Sequence, residues 1–177
     1  MIHASEVIEK RAALRCAEMM AAAARTAPKA CGIDAIETLV LEGEEKDKLT
    51  TLMRRIGTES NKPFFVRDAA NVDACPCLVL IAGATASRGL NCGYCGVDDC
   101  IEAKKTGIAC ALAVTDIGIA LGSAAISAME CRIDNRVLFS AGVAALEAGL
   151  FPEEVRICYG IGLSVMGKNI FFDRSSS

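Results

Sequence analysis

Three cysteines near the middle of the chain, Cys92, Cys95 and Cys100, form a Cys-x2-Cys-x4-Cys run, and Cys110 follows after nine further residues. The sequence has ten cysteines and one histidine, so thiolate is its most abundant soft metal ligand. Thiolate sites favour iron–sulfur clusters, zinc or Cu(I). The spacing therefore predicts a redox-active metal centre, and we expect these four cysteines to bind a [4Fe–4S] cluster.

Two glycines, Gly93 and Gly96, lie between the cysteines of this run. Glycine adopts positive φ angles at little cost, so the chain can turn tightly and direct backbone N–H groups toward the bridging sulfides. Such hydrogen bonds offset the negative charge of four thiolates and raise the reduction potential of a cluster. The two glycines therefore fit a cluster-binding segment, which we place at residues 89–110.

The sequence alone leaves the fourth ligand open. Cys110 could return to the site after one short helix, whereas Cys75 and Cys77, a Cys-Pro-Cys pair ahead of the run, are the competitors. A structural zinc site usually pairs two Cys-x2-Cys knuckles, and one is present here. Zinc and uncoordinated thiols are the alternatives to a cluster. The other cysteines are predicted to be small core residues, because free cysteine is often buried. They are Cys16, Cys31, Cys131 and Cys158.

Composition restricts the class of partner. The net charge is −3 and the pI is about 5.3, which argues against nucleic acid or an anionic membrane surface. The first residues lack the apolar segment of a signal peptide, and the cysteines lie in apolar stretches, so we expect reduced thiols in the cytoplasm. The weakly polar run at 117–129 is too short to span a bilayer. We therefore expect a soluble protein with no nucleic-acid or membrane partner.

Apolar periodicity and breakers predict an α+β fold in a single domain at 1–177. Ser5 is a plausible N-cap for the first helix, which Pro28 and Gly32 end. The apolar stripe of that helix is predicted to be Ile8, Ala12, Cys16, Met19, Ala23 and Ala27. Helices are expected at 5–27, 44–56, from about 98, at 111–129 and at 141–149, with a possible short helix at 64–74. Strands are expected at 36–41, 77–82 and 155–162.

Two lysines follow predicted elements in positions that could hold a phosphate or a flavin. Lys29 follows the first helix, and Lys168 follows the last strand. A cation after a helix C-terminus is also favoured by the helix dipole alone, and a surface lysine is usually just solvated. Both interpretations stay open on the sequence.

Asp116 begins a stretch in which Gly118 and Gly122 interrupt a predicted helix. Each glycine costs on the order of 1 kcal/mol relative to alanine, which indicates close approach by another helix, as at a dimer core, or by a flat cofactor. Asp116 lies in apolar surroundings and needs a partner, for which Arg132 and Arg136 are the candidates.

Several motifs together resemble a known family: the largely uncharacterised bacterial and archaeal proteins described as containing a ferredoxin domain. In overall order this group is similar to the FMN-dependent nitroreductases. The matching segments are Thr26-Ala-Pro-Lys29, Gly32-Ile-Asp34, Gly89-Leu-Asn-Cys92-Gly-Tyr-Cys95-Gly, the stretch at 116–124 and Asp134-Asn-Arg136.

The resemblance implies a nitroreductase-like α+β fold, with a small mixed sheet surrounded by helices and the cysteine-rich loop added to it. It also implies a homodimer with FMN at the subunit interface. The residues expected to hold FMN are Lys29, Gly122, Ser123 and Lys168.

The expected function is that of an iron–sulfur flavoprotein-like oxidoreductase. It would pass electrons between a [4Fe–4S] cluster and FMN or a small acceptor, with a redox protein or a small molecule as partner. One alternative is an electron carrier or redox sensor without flavin, and another is a structural zinc-binding domain.

Overall fold

The computed structural model describes residues 1–172, so the last five residues of the expected 1–177 domain lie outside the described part. Six α-helices and four β-strands make up the fold. In chain order they are α1 (Ser5–Thr26), β1 (Ile36–Leu41), α2 (Gly43–Glu59), α3 (Pro63–Asp73), β2 (Cys77–Ala84), α4 (Cys100–Thr106), α5 (Ala111–Glu130), β3 (Asp134–Leu138), α6 (Phe139–Glu147) and β4 (Val155–Ser164). A short 3₁₀ turn, Ala30–Gly32, follows α1.

The four strands form one sheet in the order β1-β2-β4-β3, and all three pairings are antiparallel. The α+β class is confirmed, and the sheet has a single sense of pairing rather than the mixed one expected. β2 lies in the middle and is buried on both faces, which explains its continuous apolar sequence.

Helices cover both faces of this sheet. Val79 and Ile81 of β2 face α1 and α5, whereas Leu78 and Leu80 face the layer formed by α2, α3 and α6. This separation follows from the two-residue period of a strand, which sends successive side chains to opposite faces. The region after β2 is thus presented at one end of a rigid three-layer core.

The first helix runs as expected, but the face it buries was wrongly predicted. The residues that α1 buries are Ala13, Cys16, Ala17, Met20 and Ala24. Ile8 and Met19 from the expected stripe are more than half exposed. Alanine occurs on several sides of α1, so more than one stripe satisfies the helical period, and packing of small residues against α5 decides between them.

Helix α5 is apolar on its outward side as well as its inward side. Its outward residues include Val114, Ile119, Ile126 and Met129, all substantially exposed. Gly118 and Gly122 also face outward, where an added Cβ would have open space around it within the described residues. At 20 residues and a mean hydropathy of 1.6 in its most apolar window, α5 is longer than the run judged too short to span. It meets the length and composition of a spanning helix, a criterion that core helices also meet.

Two of the four cysteines expected in the core lie at the surface. Cys16 and Cys158 are buried, as predicted, but Cys31 and Cys131 are exposed. Cys31 has a φ of 58° inside the 3₁₀ turn, and Cys131 caps the end of α5 beyond the core. Sequence reasoning also missed β3, a five-residue edge strand whose polar first half has little strand signal.

Candidate metal centre

The cysteine-rich loop connects the end of β2 to α4, and α5 begins beside it. The backbone N–H of Cys110 donates a hydrogen bond to the carbonyl of Thr85, at 3.0 Å, so the start of α5 is joined to the start of the loop. Cys110 is the N-cap residue of α5, and Cys100 is the first residue of α4. Both helix starts therefore present a cysteine toward the loop.

All four predicted ligands line one cavity. Its walls include Cys92, Cys95, Cys100 and Cys110, and all four are free thiols. Cys110 forms the buried floor at 7% exposure, while Cys92 is on the solvent side. The structure therefore brings together the four cysteines that the sequence singled out.

The competing pair, Cys75 and Cys77, lies elsewhere. Cys77 is the first residue of β2, whereas the loop leaves β2 after Ala84. At about 3.3 Å per residue, the length of β2 separates the two places by roughly 23 Å. Cys75 packs instead against Gly162 of β4. Of the three candidates for a fourth ligand, Cys110 is the one positioned at the loop.

Hydrogen bonds converge on the sulfur of Cys100. The hydroxyl of Ser87 and the backbone N–H groups of Asn91, Gly89 and Leu90 lower the pKa of the Cys100 thiol. The Asn91 N–H lies 3.3 Å from Cys100 Sγ, and Asn91 Oδ1 accepts the Cys100 N–H at 2.9 Å. The site is therefore built to hold a thiolate, the form that binds metal.

The loop reaches this shape through positive φ angles. Gly93 (φ 71°) and Gly96 (φ 83°) adopt them, as predicted, and Gly89 and Asn91 do so as well. The N–H groups that reach a thiol come from residues 89–91 rather than from the glycines between the cysteines. Sequence reasoning found the turn residues but missed Asn91, which is one of the few non-glycine residues that tolerate this conformation.

The thiols surround the cavity at a spacing wider than one metal ion requires. Within residues 1–172, no three His, Cys, Asp or Glu side chains are close enough together to hold a single ion. A [4Fe–4S] cluster is held by four thiolates through its several irons, whereas one tetrahedral zinc needs all its ligands at about 2.0–2.3 Å. The donor set and its wide spacing fit a cluster better than a zinc ion.

A buried ion pair lies beside the cavity. Arg88, which also lines the cavity, directs Nη2 at Asp116 Oδ2 on α5, at 3.0 Å, and both side chains are less than 5% exposed. The other carboxylate oxygen accepts the Ala30 N–H at 2.8 Å. The expectation that Arg132 or Arg136 would pair with Asp116 is wrong: the partner is Arg88, 28 residues earlier in the chain.

The lysine proposed to hold a flavin phosphate is engaged with its own helix. Lys29 Nζ donates to the carbonyls of Arg25 and Ala27, and it lies 3.8 Å from Asp34 Oδ1. Its side chain is only 7% exposed. This geometry matches the alternative interpretation, in which the cation stabilises the C-terminus of α1.

The other three flavin candidates are spread along α5. Ser123 lines an open groove together with Thr26 and Pro28 from the end of α1, and Gly122 faces outward beside it. Lys168 lies after β4, where its neighbour Asn169 shares a groove with Met129. From Asp116 to Met129 the helix rises about 20 Å. One chain therefore places Lys29 and Lys168 near opposite ends of α5, with Ser123 between them.

Solved structures of similar fold are FMN enzymes, at low sequence identity. An oxidoreductase containing FMN matches with a TM-score of 0.60 and 11% identity, covering 87% of this chain and 67% of the other. A putative NADH oxidase from Clostridium acetobutylicum matches with a TM-score of 0.57, 15% identity and coverages of 92% and 83%. A nitroreductase with bound FMN from Desulfitobacterium hafniense gives a TM-score of 0.56, 16% identity and coverages of 95% and 81%. These similarities confirm a nitroreductase-like fold.

Sequence comparison identifies nearer relatives. An uncharacterized protein of Archaeoglobus fulgidus is 38% identical over 167 residues, which is 89% of each chain. The family model described as "Uncharacterized protein containing a ferredoxin domain" matches residues 106–174, a region that includes Cys110 and most of the nitroreductase-like second half. The chain belongs to this family of uncharacterized proteins that contain a ferredoxin domain.

Proposed function

We propose that the protein is an iron–sulfur oxidoreductase that holds a [4Fe–4S] cluster on Cys92, Cys95, Cys100 and Cys110. The observation that carries this proposal is the single cavity lined by all four thiols. Its ferredoxin-domain family and its nitroreductase-like fold support a redox role. The cluster, when bound, supplies one-electron transfer; the chain's own residues bind it and set its surroundings.

The residues around the cavity suit a negatively charged group. The N–H groups of residues 89–91 and the Ser87 hydroxyl donate toward the Cys100 sulfur. Cys110 stands at the N-terminus of the 20-residue helix α5, whose dipole places partial positive charge there. The guanidinium of Arg88 adds a full positive charge at the wall. Each of these favours four thiolates over four neutral thiols.

We further propose that electrons pass to FMN or to a small acceptor at a homodimer interface. The outward face of α5, defined by Val114, Ile119, Ile126 and Met129, is apolar and exposed in the single chain. A second copy packed there would bury it, with Gly122 allowing close approach. Antiparallel packing of the two α5 helices would bring the Lys168 end of one beside the Lys29 end of the other. That arrangement would unite flavin-site residues that one chain keeps apart.

An electron carrier or redox sensor without flavin is the second candidate. The position of Lys29 favours it, because this ammonium is already bonded to two carbonyls of its own chain. Heating cluster-replete protein separates the two candidates: released FMN supports the oxidoreductase, and its absence supports the carrier.

The proposed setting is a reducing cytoplasm. All ten cysteines are free thiols, including the exposed Cys31, Cys92 and Cys131. Thiols at the surface persist where the glutathione and thioredoxin systems keep them reduced.

Anaerobic purification followed by metal analysis tests the proposal. We expect broad absorbance near ~400 nm and about four iron and four sulfide per chain, as a thiolate-ligated cubane requires. Cys95→Ala should abolish loading, whereas Cys158→Ala, which changes a buried thiol of β4, should load normally. Stoichiometric zinc in a colourless, air-stable protein would instead identify the structural zinc domain, and equal iron in the two variants would reject the ligand assignment.

A further inference from the structure

The ion pair between Arg88 and Asp116 lies at the wall of the thiol cavity. Arg88 comes four residues before Cys92, and Asp116 comes six residues after Cys110, so the pair joins the two segments that supply the thiols. Arg88 Nε and Nη2 both approach Asp116 Oδ2, at 3.4 and 3.0 Å. Two charges buried together are costly to desolvate and need a reason beyond stability alone.

Asp116 has no capacity to spare for another cation. Its Oδ2 is occupied by Arg88, and its Oδ1 accepts the N–H of Ala30, which fixes the carboxylate in one orientation. The carboxylate in turn fixes the guanidinium, whose carbon stem and head line the cavity. The position of the positive charge relative to the thiols is thus set by α5 and by the turn after α1, not by the loop alone.

We propose that Arg88 sets the reduction potential of the bound cluster and that Asp116 holds its guanidinium in place and offsets part of its charge. This inference rests on the proposed function, because it needs a cluster in the cavity. Both residues are positioning residues: they act on the cluster through its electrostatic surroundings and need not ligate it.

The direction of each effect follows from charge. A cluster with four thiolates is anionic and becomes one charge more negative when it takes up an electron. A positive charge nearby stabilises the reduced form more than the oxidised form, and a buried site strengthens that difference because the effective dielectric constant is low. Arg88 therefore raises the reduction potential, and the carboxylate of Asp116 lowers it.

The two partners should consequently have opposite effects when neutralised. Arg88→Gln removes the positive charge and should lower the midpoint potential. Asp116→Asn removes the negative charge, keeps the shape of the side chain and should raise it. The double variant R88Q/D116N again has no net charge at the pair, so its midpoint should return toward that of the wild type. A pair that served only to stabilise the fold would not produce shifts of opposite sign.

An anaerobic redox titration of the holoprotein tests this, with dithionite as the electron donor and the cluster absorbance as readout. Iron per chain and the urea unfolding midpoint are measured on each sample. Arg54→Gln is the control, because Arg54 pairs with Asp73 on the layer formed by α2 and α3 and should leave the potential unchanged.

The expected result is a lower midpoint in R88Q, a higher one in D116N and a near-normal one in the double variant. Shifts of the same sign, or unchanged midpoints in iron-replete variants, would overturn the inference and leave the proposed function standing. Iron loss from both single variants and the double variant would make the pair a folding element and overturn it equally. Wild-type protein that takes up no iron would reject the proposed function and the inference together.

Discussion

Cysteine side chains of identical chemistry fall into two populations in this molecule. Burial raises the pKa of Cys75, Cys77 and Cys158 to about 12, so these thiols stay protonated in the folded protein. Hydrogen bonds from Ser87 and from the loop backbone instead lower the pKa of Cys100. The environment, rather than the residue type, therefore separates core thiols from thiols prepared to bind metal.

Alkylation of the metal-free protein should resolve these two populations. At about pH 8, a thiol with a pKa of about 12 has only ~10⁻⁴ of its molecules as thiolate, the reactive form. Iodoacetamide should modify Cys100 within minutes, while Cys158 stays unmodified until urea unfolds the chain. Peptide mapping by mass spectrometry measures both rates, and iron reconstitution should protect Cys100. Similar native-state rates for Cys100 and Cys158 would contradict this account.

At the residue scale, the sequence predicted the ligands better than it predicted their surroundings. Cys92, Cys95 and Cys100 were recognisable because their spacing is local, and Gly93 because its backbone freedom is intrinsic. Arg88 was missed since it pairs with α5 across 28 residues and lies in a loop without periodicity. Such a contact depends on the tertiary fold.

At the scale of elements, contact between α6 and β4 depends on a missing side chain. A Cβ added at Gly142 of α6 would lie 1.8 Å from the carbonyl oxygen of Cys158 in β4. Backbone atoms of a central strand cannot yield as a flexible side chain would. The absence of a side chain at Gly142 therefore allows α6 to lie directly on the sheet.

We expect Gly142→Ala to destabilise the protein by about 3 kcal/mol or more, since overpacking a rigid contact forces backbone shifts. Gly122→Ala is the matched control: in the isolated chain its Cβ has open space, and alanine gains up to ~1 kcal/mol of helix propensity. Urea unfolding of each variant at low protein concentration measures the difference. Equal stabilities for the two variants would show that α6 does not pack this closely.

Most elements were predictable from the sequence because their apolar patterns are strong. β1 was predicted with its observed bounds, and the bounds of α5 differ by one residue. β3 was missed because a short edge strand gains its stability from pairing with β4 rather than from its own pattern. The buried face of α1 was misassigned because its many alanines give no contrast around the helix.

At the scale of the whole molecule, the outward face of α5 is the main feature that one chain leaves unexplained. Ile126 and Met129 are 58% and 67% exposed on a helix whose other side is fully packed. A second copy of the chain is the partner we propose for this face.

Sedimentation should therefore give a particle of twice the 18.6 kDa chain mass. Ile126→Glu should convert it to monomers, since a buried unpaired carboxylate opposes association, while costing an already exposed position little within the chain. Val66→Glu, on the exposed side of α3 in the other layer, is the control and should remain dimeric. A monomeric wild type, or dimers that survive Ile126→Glu, would remove this face as the interface.

The central claim is that four particular thiols hold one cluster, and iron and sulfide content of Cys110→Ala compared with Cys77→Ala tests it most directly. Both variants remove a buried thiol, but only Cys110 lines the cavity beside α5. We expect about four iron and four sulfide per chain in the anaerobically purified wild type and in Cys77→Ala, and an incomplete or absent cluster in Cys110→Ala. Full iron loading of Cys110→Ala together with loss from Cys77→Ala would contradict the account.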